Sequence, residues 1–153
     1  MADCFSQMYV QVVFAVKNRN ALIMPEWEEN LYKYITGIVT NKGQKLLAIN
    51  GTRNHIHIFL NVKPNCCLSD LVREIKKSSN AYVNEGGLSR FKFEWQAGFG
   101  AFTYSKSDID NVINYINNQK EHHRTRTFKE EFLKFIEEFQ IEYNEKYSFD
   151  WNE

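Results

Sequence analysis

Two histidines separated by one residue are the clearest sign of chemistry in the chain. His55 and His57 lie in the short apolar run NHIHIFL at residues 54–60. Because strand side chains alternate between faces, both imidazoles are expected on one face, with Ile56 and Ile58 on the other. Each neutral ring can offer one nitrogen to a divalent metal. The two histidines therefore predict half of a metal site. The alternative is that they are ordinary strand histidines, which is the more frequent case for an isolated His-x-His motif.

Tyr115 and Gln119 are the candidates for the other half of the site. On a helix, residues four apart share a face and lie about one turn from each other. Tyrosine can act as a covalent nucleophile, but its phenol is a weak one at its free pKa of about 10. A divalent metal would help by polarising and orienting a scissile phosphate, and the Gln119 amide oxygen could complete the metal shell. The alternative is that Tyr115, one of eight tyrosines, is simply half-buried on an amphipathic helix.

The elements that must position these residues follow one another in the order βαββαβ. Strand patterns occur at residues 7–16, 44–49, 55–62 and 91–95, and the second and third of these are predicted to form a hairpin. One helix is predicted from Pro25 to the stop at Gly43, and another from Ser69 to the Gly86-Gly87 pair. A short strand at 101–104, a helix capped by Ser107 and a last helix at 127–143 follow.

This order predicts an α+β fold, a split-βαβ sheet of the ferredoxin-like or RRM-like kind. Such a core has an antiparallel sheet with helices packed on one face, and Tyr115 would lie on a helix in the C-terminal half. With 153 residues the chain fits one domain, 1–153. We expect its core at about 5–125, and a C-terminal helix with an acidic tail at about 127–153.

Charge and composition limit the possible partners. Nineteen basic and nineteen acidic residues give a net charge of zero, which disfavours broad, non-specific affinity for nucleic acid. A local track is still possible, and its candidates are Arg73, Lys76, Lys77 and Arg124; the alternative is solvated helix faces. No apolar run is long enough to span a bilayer, no secretory pattern opens the chain, and three cysteines lack a Cys-x-x-Cys spacing. We therefore expect no membrane partner and a cytoplasmic location.

Four stretches together carry a family resemblance. His55-Ile56-His57 resembles the histidine–hydrophobic–histidine motif of the HUH endonucleases. The stretches EWQAGFGAF at 94–102, SKS at 105–107 and YINNQKEHH at 115–123 resemble the single-tyrosine transposases of the IS200/IS605 group. The likeness runs from about residue 8 to about residue 132. The histidine motif alone is a weak signal, whereas the ordered set is a specific one.

The resemblance implies a prokaryotic transposase that acts on chromosomal or plasmid DNA. It assigns Mg²⁺ or Mn²⁺ binding to His55, His57 and Gln119, and the role of nucleophile to Tyr115. Members are small homodimers that bind hairpin ends and cleave single-stranded DNA, leaving a 5′-phosphotyrosine and a free 3′-OH that are later rejoined. In this family the tyrosine helix can dock on the partner's metal site, so we expect a dimer with shared sites.

Some positions depart from the family pattern or admit another interpretation. Members often carry an acidic residue just before the first histidine, where this chain has Asn54. His122 and His123 could contact phosphate or, as cations, stabilise the end of the tyrosine helix, and we favour the second interpretation. A non-catalytic single-strand binder is the competing function, but such binders normally place stacking aromatics where this chain has strand histidines. A domesticated relative that cuts DNA without moving an element is a third possibility that the sequence does not separate.

Overall fold

The computed structural model describes residues 4–151 and contains one four-stranded antiparallel sheet in the order β2-β3-β1-β4. The strands and α-helices are, in chain order, β1 (Tyr9–Ala15), α1 (Pro25–Asn41), β2 (Lys45–Gly51), β3 (His55–Asn61), α2 (Leu68–Glu85), β4 (Gly100–Tyr104), α3 (Ile109–Asn117), α4 (Gln119–His122) and α5 (Phe128–Glu138). Short 3₁₀ helices lie at Lys106–Asp108 and Glu145–Tyr147. Within residues 4–151, no helix is both long enough and apolar enough to cross a membrane. The predicted α+β, split-βαβ architecture is confirmed.

The two central strands, β1 and β3, determine where the histidines lie. They pair antiparallel, with Ala15 opposite His55 and Val13 opposite His57. Alternation sends the isoleucines of β3 to one face of the sheet and both histidines to the other. The predicted hairpin of β2 and β3 is also present, and its turn brings the backbone at Gly51 close to that at His55. A Cβ atom at Gly51 would lie only 2.1 Å from the His55 carbonyl oxygen, so this turn requires glycine.

Helices α1 and α2 form the main core against the isoleucine face of the sheet. Helix α1 begins at Pro25, whose fixed backbone suits the first helical position, and the chain turns after it at Gly43 with φ of 79°. The fully buried aliphatic residues of this face come from both strands and both helices: Val12, Ile56, Ile58, Leu60, Leu31, Ile35, Val39, Val72, Ile75 and Val83.

The second face of the sheet is covered as well, by α3 and α5. Phe102 of β4 packs against Phe128, Phe132 and Phe135 of α5, and Phe59 of β3 packs with residues of α3. The expectation of helices on one face only was therefore wrong. The cause is that α3 and α5, which follow the βαββαβ core, carry apolar stripes of their own and need a surface on which to bury them.

Two predicted elements differ from the structure. Residues 91–95 make only one isolated bridge, between Trp95 and Val16, because β4 already pairs with β1 and the Asn84 side chain binds both backbone groups of Phe93. Their alternation reflects the burial of Phe93 and Trp95 in the main core. The last helix is shorter than predicted: α5 ends at Glu138, and the chain reverses at Gln140 with φ of 51°.

Candidate active site

The side chains of His55 and His57 meet a carboxylate that comes from α5. Among the described residues, His55, His57 and Glu131 form a group whose donor atoms all lie within 4.8 Å of one another, and all three are buried. Glu131 Oε1 lies 3.3 Å from His55 Nε2 and 3.0 Å from His57 Nε2. The ring of His55 stacks on Phe128 of the same helix, with 3.9 Å between ring centroids. Helix α5 therefore closes the site above the strand that carries the histidines.

The outer nitrogens of both rings are held by amide oxygens. Nδ1 of His55 lies 2.7 Å from Asn54 Oδ1, and Nδ1 of His57 lies 2.6 Å from Gln11 Oε1. Gln11 in turn donates from its amide nitrogen to the Tyr104 hydroxyl at 2.8 Å. When Nδ1–H donates to such an oxygen, Nε2 of a neutral ring carries the free electron pair, and here both Nε2 atoms face Glu131. Asn54 thus supplies the orienting hydrogen bond that an acidic residue would otherwise give.

Burial sets the charge of the groups in this cluster. Complete burial lowers the pKa of His55 to about 4, so this ring is neutral near pH 7. Burial would by itself raise the pKa of Glu131, but the neighbouring histidine rings, His57 foremost, outweigh it and hold that pKa well below its usual range. The site therefore contains an ionised carboxylate that is out of contact with bulk water.

The donor types in this cluster could hold a divalent cation. Glu131 Oε1 lies 3.0–3.3 Å from the Nε2 atom of each strand histidine, which requires a proton or a metal ion between these atoms. Adjacent donors around a six-coordinate ion with bonds of about 2.1 Å are about 3.0 Å apart. These two distances are therefore compatible with a bound metal ion.

Tyr115 and Gln119 both reach the same carboxylate from a broken helix. The sequence placed them on one helix, but α3 ends at Asn117 and Gln119 begins the separate helix α4, with Asn118 between them. Gln119 is fully buried; its Oε1 lies 3.3 Å from His55 Nε2, and its Nε2 donates to Glu131 Oε2 at 2.9 Å. The Tyr115 hydroxyl also donates to Glu131 Oε2. Although the helix is interrupted at Asn118, both side chains still contact Glu131.

The environment of Tyr115 keeps it a phenol in the resting protein. Burial, then the charge of Glu131 and the hydrogen bond to it, raise the pKa of Tyr115, while the nearby Arg126 acts in the opposite direction. The ring of His122 stacks on Tyr115 at 4.6 Å between centroids. The hydrogen bond to Glu131 and the stacking on His122 together fix the orientation of the Tyr115 side chain.

The side chains of His122 and His123 both lie at the site, and their predicted role as cations at a helix end is disfavoured for His122 alone. Burial lowers the pKa of His122, which favours its neutral form. His123 directs Nε2 to Glu131 Oε1 at 3.1 Å and lies beside His55. Both rings thus contact residues of the candidate site.

The four residues predicted to bind DNA lie away from the donor cluster or have protein partners. Arg73 pairs with Asp70 at 2.9 Å, and Arg124 pairs with Glu121 at 3.5 Å. The Lys76 ammonium donates to the carbonyl oxygens of Gln96 and Gly98 at 2.8 and 2.6 Å, so it holds the loop before β4. Lys77 is exposed. Their role in DNA binding remains a prediction.

Sequence reasoning does not place Gln11, Arg126 or Glu131 at the site. The acidic C-terminal stretch that contains Glu131 predicts a solvated surface. The available signal was helical spacing, because Glu131 falls three residues after Phe128 and four before Phe135, on the apolar stripe of α5. A carboxylate on such a stripe must be buried and therefore needs partners.

Comparisons with known proteins identify a family and a matching fold. The family model described as "Transposase IS200 like" matches residues 4–119. The structure of a candidate transposase from Deinococcus radiodurans R1 matches with a TM-score of 0.61 and 19% identity, over 78% of this chain and 95% of that one. A REP-associated tyrosine transposase bound to a REP hairpin matches with a TM-score of 0.59 and 18% identity, over 80% of this chain and 74% of that one. No curated protein sequence matches the chain.

Proposed function

The chain belongs to the family of IS200-like transposases, and we propose that it is a metal-dependent endonuclease and strand transferase for single-stranded DNA. One observation carries this proposal. The two oxygens of Glu131 connect the histidine cluster, through Oε1, to the Tyr115 hydroxyl, through Oε2. A candidate nucleophile and a set of metal donors therefore occupy one site in one chain.

We assign the metal to His55, His57 and Glu131, with the Gln119 amide oxygen as the fourth donor from the protein. The ion would be Mg²⁺ or Mn²⁺, as the resemblance implies. When bound, it would polarise the oxygens of the scissile phosphate and orient that group for in-line attack. Gln11 and Asn54 would hold the imidazole rings in the tautomer that a metal needs.

In the proposed reaction Tyr115 is the nucleophile. Its Oη forms a bond to phosphorus while the bond between phosphorus and the 3′ oxygen breaks, leaving a 5′-phosphotyrosine. The phenolic proton passes along the hydrogen bond to Glu131 Oε2 and on to water, and the departing 3′ oxygen takes a proton from water. Rejoining reverses these steps with the 3′-OH of another strand, so no external energy source is required.

The competing function, a non-catalytic single-strand binder, is disfavoured by the covered sheet. Binders of this fold stack bases on aromatic side chains of open central strands. In this chain the corresponding face of β1 and β3 carries Gln11, His55 and His57, all buried below α3 and α5. For the DNA partner we propose single strands with hairpin ends, supported by the hairpin bound to the structural neighbour.

The proposed function is tested by covalent capture. Labelled single-stranded DNA from the flanks of the gene, with its hairpin, is incubated with protein and Mn²⁺ and resolved on a denaturing gel. We expect a protein–DNA adduct that is absent in EDTA and absent for Tyr115→Phe, which should bind the hairpin within about twofold of the wild-type Kd. An adduct that persists in Tyr115→Phe would exclude Tyr115 as the nucleophile, and an equal yield in EDTA would exclude the metal.

A further inference from the structure

Arg126 touches the reacting atom of the proposed nucleophile. Its Nη2 donates to the Tyr115 hydroxyl oxygen, and its guanidinium carbon lies 5.6 Å from the centre of the Tyr115 ring. The same nitrogen is 3.7 Å from Glu131 Oε2. The side chain is only 23% exposed, so the cation is held in a fixed place. The Glu131 carboxylate meets the same hydroxyl.

Two cavities meet at Arg126. One, of about 690 Å³, lies between α3, β4 and α5 and ends at Tyr115, Arg126 and Glu131. The other, of about 500 Å³, opens on the opposite side of Arg126 and is lined by Arg53, His123 and Arg124 among others. A single strand that reaches Tyr115 and extends in both directions would therefore pass the Arg126 guanidinium.

We propose that Arg126 is a catalytic residue that binds the phosphoryl group while it is transferred to and from Tyr115. The inference rests on the proposed function. When the bond between Tyr115 Oη and phosphorus forms, the non-bridging oxygens come next to the Oη atom that Arg126 already contacts. A guanidinium presents several N–H donors in a plane and suits two phosphate oxygens at once. Its positive charge would offset the negative charge that gathers on those oxygens during transfer.

The distances support this role over a purely structural one. The Oε2 atom of Glu131 already accepts hydrogen bonds from the Gln119 amide nitrogen and the Tyr115 hydroxyl. Arg126 Nη2 stands farther from that oxygen, at 3.7 Å, and makes its shorter contact with the tyrosine. The Arg126 cation interacts more strongly with an anionic phosphoryl group on Tyr115 than with the neutral phenol of the resting protein.

The test measures adduct formation and DNA binding separately for Arg126 variants. With saturating hairpin DNA and Mn²⁺, we expect Arg126→Gln to slow single-turnover adduct formation by about 100-fold and to change the Kd by less than about threefold. Arg126→Lys should recover part of the rate, because it keeps the charge but not the planar donors. Arg90→Gln, at an exposed arginine in the turn after α2, should match the wild type.

A second readout separates contact with phosphate from a structural role. DNA carrying a single phosphorothioate of defined stereochemistry at the scissile position is cleaved in Mn²⁺, which tolerates sulfur. The wild type should discriminate between the two isomers, and Arg126→Gln should lose most of that discrimination with an unchanged melting temperature. Wild-type rates in Arg126→Gln, or an unaltered preference between isomers, would overturn the proposal. If the wild type itself forms no adduct, it is the proposed function that fails.

Discussion

At the scale of single residues, Glu131 is the group on which the site depends most. Its Oε1 faces the histidines and its Oε2 faces the nucleophile, so removing its charge should weaken metal binding and misplace Tyr115 together. We expect Glu131→Gln to raise the Mn²⁺ concentration for half-maximal adduct formation by at least about tenfold. Isothermal titration with Mn²⁺ checks binding directly.

The control for this change comes from the same helix. Glu137→Gln is the same exchange at an exposed position of α5, and it should leave both Mn²⁺ binding and the rate unaltered. If the two variants require the same metal concentration, Glu131 is not a ligand, and the metal would be held by the histidines and Gln119 alone.

The donor set also predicts which ion works at lower concentration. Two imidazole nitrogens and one carboxylate suit Mn²⁺ better than Mg²⁺, which prefers oxygen ligands and gives up its water reluctantly. Half-maximal adduct formation should therefore need at least about tenfold less Mn²⁺ than Mg²⁺. Titration of metal-free protein with each ion measures this ratio, and an equal requirement would indicate a site made mostly of oxygen donors.

At the scale of elements, the position of α5 depends on one glycine in β4. A Cβ atom at Gly100 would lie 2.7 Å from Cε1 of Phe132 and 3.1 Å from Phe102. Gly100→Ala should therefore push α5 away from the sheet and cost about 1–3 kcal/mol of unfolding free energy. Because Glu131 precedes Phe132 in α5, adduct formation should fall as well.

The matched control is Gly37→Ala in α1, where a Cβ atom would meet nothing within 4 Å. Alanine favours a helix interior over glycine, so this variant should gain about 0.5–1 kcal/mol. Chemical unfolding of both variants gives the comparison. Similar stability changes in the two would show that the contact between Gly100 and Phe132 does not hold α5 in place.

Elements with strong local signals were predictable, whereas the assembly above the sheet was not. Alternation in β3 and the stops at Gly43 and Gly86 are local, and the sheet and its two main helices follow from them. The break at Asn118 has no such signal, because Tyr115 and Gln119 keep helical spacing across it. The proposed metal donors His55 and His57 were predictable from their spacing, but Glu131 is 74 residues from His57 in sequence, and only tertiary packing brings them together.

At the scale of the whole molecule, the enclosed site predicts a preference for single strands. The half-buried Tyr115 lines the cavity between α3, β4 and α5, so a base pair at the scissile position must open before its phosphate reaches the Tyr115 hydroxyl. Opening costs a few kcal/mol, which corresponds to at least about a 100-fold lower rate on fully paired DNA. Parallel assays on the two substrates measure the ratio, and efficient duplex cleavage would contradict an enclosed site.

The last prediction concerns whether one chain can complete a site. The family resemblance led us to expect tyrosines exchanged between two chains, but here Tyr115 contacts Glu131 of its own chain. Asn50 of β2 ties the end of α3 to the same sheet through the carbonyl oxygens of Ile116 and Asn117, at 3.0 and 3.1 Å. Lys120 adds a hydrogen bond to the Asn50 side chain at 2.9 Å. These contacts favour sites that are each built from one chain, even if the protein is a homodimer.

Mixing two inactive proteins distinguishes the arrangements. One carries His55→Ala and His57→Ala and the other carries Tyr115→Phe, so a site built from one chain stays incomplete in every combination. We expect the mixture to form no adduct after verified subunit exchange. Asn50→Ala in both partners removes the hydrogen bonds that hold α3 and should allow some exchange of the tyrosine helix between chains. Adduct formation in the original mixture would instead mean that the tyrosine helix reaches the partner's metal site, despite the contacts that hold it in its own chain.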